Sequence, residues 1–462
     1  MNKQNQMLGN EPINKLLFKL ATPAIIGMMV NALYNLVDTF FVGRVIGKYA
    51  IAGLTVAFPI QMIIMAMAQL IGIGAASVIS RNLGSNNLEK ANHVAGIAIV
   101  LAALVGISSC ILGLMFIDPI LKLFAASGIV LEYAKAYMGI IFVGNIFVTF
   151  TVSTNSLVRA EGNAKVAMIT MVIGTALNIA LDPLFIYVFD MGIKGAAYAT
   201  VISQGVSFIY ILSYFLRGKS TIKLAMHHFK LRMDYIIEIV TVGFPSFARQ
   251  VAGSIMAVII NTSLVHFGGD VALSAYGLIN KVTMFLFMPL FGIVQGMQPI
   301  VGFNYGAEKY DRVKKAIISS ITAMTVMLIA SWAVVQLFPN LILSIFLPFE
   351  GNQDVFAIGV PGIKMFLFGV PVIAIQIVSS SVYQAIGKSK PALVLSLLRQ
   401  VIILIPLLLI LPNLFDLGLT GIWLAYPLSD IMSTIISTFM LRSEFKSMSQ
   451  KTIELEEDLK CA

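Results

Sequence analysis

Twelve stretches of this chain carry so little charge over so great a length that each can cross a bilayer. They run roughly 16–43, 52–80, 94–117, 133–158, 165–189, 195–216, 236–265, 276–302, 314–337, 356–386, 391–412 and 417–441. A helix needs about 20 apolar residues to traverse ~30 Å of hydrocarbon. Residues 95–117, 136–158 and 195–216 hold no Asp, Glu, Lys or Arg at all. The runs mix Leu, Ile, Val, Ala, Phe and Met without strict alternation, which favours helices over barrel strands.

Composition excludes the alternatives. Of 462 residues, 58% are hydrophobic and 11% charged, against about 25% charged in a soluble domain. A water-soluble fold cannot hide that much apolar side chain. The net charge of +9 is spread over short loops, which points to a membrane rather than to nucleic acid. With both termini placed in the cytoplasm, inside segments hold 22 of the 31 Lys and Arg and outside loops hold six. That bias predicts an even number of spans with both ends inside. Cys110, in an apolar run, and Cys461, near the end, make neither a disulfide framework nor a metal cluster.

The inside loop 217–235 divides the chain into halves. Sliding by 222 residues pairs Pro23 with Pro245, Gly74 with Gly296, Asn82 with Asn304 and Gly84 with Gly306. At 225 and 226, Gly162 meets Gly387 and Asp190, Gly192 and Gly195 meet Asp416, Gly418 and Gly421. The matched positions are helix breaks and turns in the same order. The expected fold is therefore all-α and integral to the membrane, with 12 transmembrane helices in two pseudo-symmetric six-helix lobes. Residues 1–216 form the N-terminal lobe, 217–235 a cytoplasmic linker, 236–442 the C-terminal lobe and 443–462 a solvated cytoplasmic tail. Parallel repeats of this kind suit alternating access by rocking lobes.

An ionisable group in hydrocarbon is costly unless paired or hydrated, so each one marks a candidate site. Asp38 follows Tyr34 by one helical turn, and Asp182 follows Asn178 by one turn. Pro183 loosens the helix beside them. Two carboxylates, an amide and a freed carbonyl make an oxygen-rich cage for Na⁺, or one whose burial holds a proton. The repeat partners of Asp38 and Asp182 are Ile260 and a leucine, so the cage belongs to the first half alone. The competing reading has Asp182 capping a helix end or pairing with Lys194. In the second half, Arg249, Lys281, Arg399 and Asp430 are candidates for a buried charge cluster, either a structural neutralisation or a contact to substrate. Asn31, Gln61, Met256, Met284, Met288 and Gln295 are candidates for a substrate cavity, since amides suit a wet cavity and thioethers adapt to varied hydrophobic ligands. The same Met residues equally suit lipid or the lobe core.

His93, His227, His228 and His266 lie in loops without metal-ligand spacing, and no phosphate-cradling G-x-x-x-x-G-K loop exists. Transport by this chain would draw on an ion gradient rather than on ATP.

The run from Pro23 to Gly43, which contains Y-N-L-V-D-T-F-F-V-G, together with R-A-E-G-N (Arg159 to Asn163) and N-x-x-x-D-P (Asn178 to Pro183), resembles the MATE family of multidrug and toxic-compound extrusion transporters. The resemblance covers about 12–442. It implies exchange of organic cations for Na⁺ or H⁺. It also implies that Asp38 is the family's first-helix aspartate, that Asn178 and Asp182 are its fifth-helix pair, and that Tyr34, Asn155 and Thr200 are further members of the ion site. Many bacterial members carry an acid in the seventh or tenth helix. This chain has no acid there, only Arg249 and Gln376, a departure that resembles the DinF-like and MepA-like branches.

The expectation is thus an ion-coupled multidrug antiporter with no enzyme activity and no cofactor beyond Na⁺ or H⁺. Its partners are organic cations and drugs and the lipid bilayer, with no nucleic acid and no ATP. It is expected as a monomer in a bacterial or archaeal inner membrane. The alternatives are a flippase for lipid-linked precursors, drawing on Arg249, Lys281 and Arg399, and more distantly an integral-membrane enzyme.

Overall fold

The computed structural model describes residues 3–45, 48–124, 126–414 and 416–461, with side chains described except at 3, 34–49 and 459–461. A short helix α1 (Lys3–Asn10) precedes α2 (Ile13–Val45), α3 (Lys48–Gly84), α4 (Leu88–Met115), the short α5 (Ile117–Leu123), α6 (Gly128–Ala160), α7 (Ala164–Pro183) and α8 (Gly192–Leu216). Then come α9 (Met233–Gly306), α10 (Tyr310–Leu337), the short α11 (Pro339–Ser344), α12 (Gln353–Phe366), α13 (Ala374–Ala385), α14 (Ser389–Leu397), α15 (Ile405–Ile410) and α16 (Gly418–Cys461). No strand occurs among the described residues.

Among the described residues, eleven helical stretches are long and apolar enough to span a membrane. One of them, α9, runs 74 residues, which at 1.5 Å per residue is over three bilayers long. It turns back at Gly269, whose φ of 63° and ψ of −165° interrupt the helix. Ile239 and Phe303, on either side of that break, both lie against α3, so α9 supplies two crossings and the total is twelve. The tenth crossing is also divided, into α12 and α13. Large apolar side chains such as Leu104, Ile107, Ile111 and Leu112 on α4 are exposed, as a lipid-facing surface requires.

The repeat reappears in the backbone. Left-handed residues fall in pairs at the sequence offsets: Asn86 and Glu308, Gly162 and Gly387, Asp190 and Asp416, Gly192 and Gly418. Each pair ends a helix or opens the next one. Helix α7 continues past Pro183 as a π-helical turn, Leu184–Val188, and α14 passes into another, Leu398–Leu404.

At the end that carries both termini, the two halves meet backbone to backbone. A Cβ on Gly84 would overlap the Phe303 carbonyl, and one on Gly306 would overlap the Arg81 carbonyl. These contacts are mirror images under the 222-residue shift. Gly74 against Ile239 and Gly296 against Ala21 repeat the motif about three turns further in. Around this seam, Glu238 of α9 takes Arg81 at 3.1 Å and Lys90 at 2.9 Å. Helix α1 closes it from below: Leu8 is fully buried, and its carbonyl accepts from Asn304 and Arg312. Polar composition hid this role of the first residues.

The 217–235 loop is pinned by Glu161, which is fully buried. Its carboxylate accepts from Tyr214 Oη at 2.7 Å, Ser220 Oγ at 2.8 Å and Thr221 N at 2.6 Å. Burial pushes this carboxyl above the usual range, and the hydrogen bonds oppose that rise. The tail from 443 onward is not the free solvated segment that its charge suggests. Helix α16 continues through it, Glu444 pairs with Lys388 at 2.7 Å, Met448 is buried, and Lys451 lies over the rings of Tyr305 and Tyr310.

Because the Gly84 seam has no room for a methyl group, Gly84→Ala should force this end open. A cysteine placed at Ser77 should then react faster with a membrane-impermeant maleimide added from the terminal side. An unchanged rate would show that the seam does not hold the halves together.

Candidate functional site: a cavity between the two halves

Above the seam the halves diverge around a cavity of about 600 Å³, the size of a drug-sized ligand site. One face of α3 supplies much of the wall: Phe58, Met62, Met65, Gln69, Ile73, Ala76 and Ser80, spaced three or four apart as one helical stripe must be. The floor is polar and joins the halves. Ser77 Oγ donates to the Gln384 carbonyl at 2.6 Å, and Gln384 Nε2 donates to the Val242 carbonyl and Ser246 Oγ, both at 2.9 Å.

Four of the six expected cavity residues line it: Asn31, Met284, Met288 and Gln295. Gln61 does not, because it stands one residue off the α3 stripe that Met62 occupies. Met256 packs instead against the core of the second half.

The acid site of the first half opens onto the same cavity. Asn178 and Thr200 are lining residues, and Asp182 lies behind them, fully buried. In the amide orientation that satisfies its neighbours, Asn178 Nδ2 donates to Asp182 Oδ2 at 2.9 Å and its oxygen accepts from Thr200 N at 3.1 Å. Thr200 Oγ1 donates to the Ala196 carbonyl at 2.9 Å. Asn155 and Ser203 also face the cavity, and Asn155 Oδ1 and Ser203 Oγ are buried without a hydrogen bond among the described residues. A carboxylate with nearby unbonded oxygens fits a small cation or a proton. The side chains of Tyr34 and Asp38 lie outside the described residues.

The four-charge cluster of the second half does not form. Arg399 Nε donates to Asp430 Oδ1, and Arg399 lies over the Phe287 ring at 5.9 Å. Lys281 is exposed, and Arg249 faces the cavity. Helical phase separates them: Lys281 and Phe287, on one helix, point to different sides.

Arg159 is a cavity residue that the sequence reading assigned to a loop. It ends α6 one turn beyond Asn155, so the two share a face, and that spacing was the available signal.

The family model described as MatE matches residues 23–184 and 245–410, one segment in each half. The chain belongs to the MatE family. Among curated relatives, the multidrug export protein MepA of Staphylococcus haemolyticus (strain JCSC1435) is 26% identical over 438 residues, covering 93% of this chain and 94% of that protein. A solved structure described as the outward-facing conformation of a multidrug resistance MATE family transporter of the MOP superfamily is 26% identical. It has a TM-score of 0.92 and covers 97% of this chain and 99% of that one. Another, a MOP superfamily transporter from Pyrococcus furiosus Vc1 (DSM3638), is described as having a binding pocket of reverse polarity that suggests a different function. It is 27% identical, with a TM-score of 0.92 and the same coverage. The MatE assignment and the twelve helices make this chain a multi-pass membrane transporter.

The Arg399–Asp430 pair yields a stability prediction. Arg399→Met alone strands a buried carboxylate and should cost about 3–5 kcal/mol. The double variant Arg399→Met/Asp430→Asn should recover most of it. Thermal unfolding in detergent reads both, and a double variant no more stable than the single would refute a mainly structural pairing.

Proposed function

We propose that this MatE-family protein is a multidrug efflux antiporter, exporting hydrophobic organic compounds in exchange for Na⁺ or H⁺. The observation that carries the reading is the placement of Asp182. It sits fully buried in one half only, one residue layer behind a cavity wall that includes Asn178 and Thr200. Occupancy of that carboxylate by an ion or a proton removes a buried charge, and the surrounding helices repack in response. Asp38, Tyr34 and Asn155 complete the site in this proposal. Pro23 in α2 and the π-helical turn after Pro183 provide places where the helices can bend.

The termini would lie in the cytoplasm of a bacterial or archaeal cell, in agreement with the distribution of Lys and Arg. The sealed end then faces inward and the cavity outward. Access alternates when the Gly84–Phe303 and Gly306–Arg81 contacts and the Glu238 bridges part and equivalent contacts form at the other end. The driving force would come from the ion gradient, with no cofactor, and the protein would act as a transporter rather than an enzyme.

A flippase for lipid-linked precursors is the second reading. Of the three basic residues it first drew on, only Arg249 lines the cavity, since Lys281 is exposed and Arg399 is paired with Asp430.

Efflux of ethidium and of sulforhodamine B from proteoliposomes, under separately imposed Na⁺ and proton gradients, tests the export reading. At least one dye should move under at least one gradient, and Asp182→Asn should abolish that movement while dye binding persists. Undiminished transport in the variant would overturn the role given to Asp182.

A further inference from the structure

The charge of the cavity wall is unlike what a cation exporter needs. Among the described residues, the lining contains two guanidinium groups, Arg159 from the first half and Arg249 from the second, and no carboxylate. Asp182 is behind the wall, hydrogen-bonded to Asn178. The wall's other polar groups are neutral amides and hydroxyls, among them Gln69, Gln204 and Gln298.

Neither arginine is paired with a carboxylate among the described residues. Arg159 Nη2 donates to Ser156 Oγ at 3.0 Å, with no acidic partner among the described residues. Arg249 has no hydrogen-bond or ionic partner among the described residues, although the same structure pairs Arg81, Arg232 and Arg399 with carboxylates. A guanidinium facing a narrow cavity keeps its hydration only while water fills that space. A ligand that displaces the water must replace it with acceptor atoms, and an anion does this best. A cationic ligand would lose that hydration and add repulsion.

Helix pairing places the two groups at different depths. Gln250 Nε2 lies 2.9 Å from Met62 Sδ, so Arg249 stands near residue 62 of α3, among the thioethers and aromatics of the upper cavity. Ser153 Oγ donates to the Ala68 carbonyl at 3.0 Å and Ser156 packs on Gly72. Arg159 therefore lies roughly a dozen α3 residues nearer the seal, ~18 Å further along at 1.5 Å per residue. It adjoins the floor that parts when access alternates.

We infer that the transported compounds are anionic or zwitterionic amphiphiles, carrying a carboxylate, sulfonate or phosphate on an apolar body. Arg249 anchors the headgroup in the upper cavity, and the apolar body lies along Met62, Met65, Met284, Met288 and Phe291. Arg159 offers a second headgroup position beside the seal, the first met from the terminal side once that side opens. This assignment rests on the export reading for its direction of transport but not for the chemistry of binding. It replaces the organic cation of the sequence-based expectation with the opposite charge.

The test uses the full-length purified protein and two xanthene dyes of similar size, anionic sulforhodamine B and cationic rhodamine 6G. Equilibrium binding is read by fluorescence anisotropy in nanodiscs, separately from gradient-driven transport. The wild type should bind sulforhodamine B more tightly. Arg249→Gln should lower the ratio of sulforhodamine to rhodamine affinity about tenfold, the scale of one ion pair in a partly desolvated site. Arg249→Lys should restore part of the ratio, which controls for loss of fold. A wild-type preference for rhodamine 6G, or a ratio unmoved by Arg249→Gln, would overturn the inference and leave export intact. Arginine-dependent anion binding with no transport under any gradient would instead sink the export reading and leave this one standing. Nanodiscs with and without phosphatidylglycerol distinguish the ligand's source. Displacement of the dye by phosphatidylglycerol assigns the site to a lipid headgroup, and undisturbed binding assigns it to a soluble amphiphile.

Discussion

Water is absent from the hydrocarbon layer, so every backbone N–H and C=O that crosses it must find its partner inside the protein. That constraint shapes the molecule more than any single contact. It turns the apolar runs into helices, which satisfy their own backbones. It leaves Leu, Ile and Phe facing outward. It also gathers the residues that helices cannot satisfy onto one internal surface, where Asn155, Asn178, Thr200, Arg159 and Arg249 meet. The polar cavity is thus the necessary complement of an apolar exterior.

Two kinds of contact join the halves, and they differ in what they permit. Toward the termini the contact is backbone on backbone, set by glycines that recur under the repeat, with the Glu238 bridges and helix α1 around it. Such a surface is either closed or open, because there is no side chain to yield by degrees. Further in, the contact gives way to amides, hydroxyls and thioethers that can rearrange around a ligand. A rigid seam next to an adaptable cavity is the arrangement on which the proposed alternating access would draw. The Arg399–Asp430 pair stands apart from both. It carries its own counterion, so it has no need of a solution ion, whereas Asp182 accepts a hydrogen bond from the neutral amide of Asn178.

The sequence was most legible where the signal is periodic or costly. Uncharged runs located the crossings, and the 225 and 226 offsets located Gly162, Gly387, Asp190 and Asp416 at matching left-handed turns. The Asn178–Asp182 turn was visible because a carboxylate in an apolar run demands an explanation. It was less legible where the decision depends on phase. Gln61 and Met62 are neighbours, and only their register against α6 and α9 says which one faces the cavity. Arg249, Lys281 and Arg399 looked alike as charges within spans, yet one faces the cavity, one is exposed and one is paired. Helix α1 and the end of α16 have polar compositions, and their docking comes from a few buried side chains, Leu8 and Met448, that no local pattern singles out.

Coupling through Asp182 has a thermodynamic signature independent of any transport assay: if ion and cargo compete through one conformational equilibrium, each must weaken the other by the same factor. Sulforhodamine B, whose sulfonates stay ionised throughout, can be titrated onto the purified protein across pH, with and without Na⁺, at constant ionic strength. The affinity should fall at least tenfold as the coupling ion saturates, and that dependence should vanish in Asp182→Asn. Dye affinity indifferent to both ions in the wild type, or an ion dependence preserved in Asp182→Asn, would contradict coupling at this carboxylate.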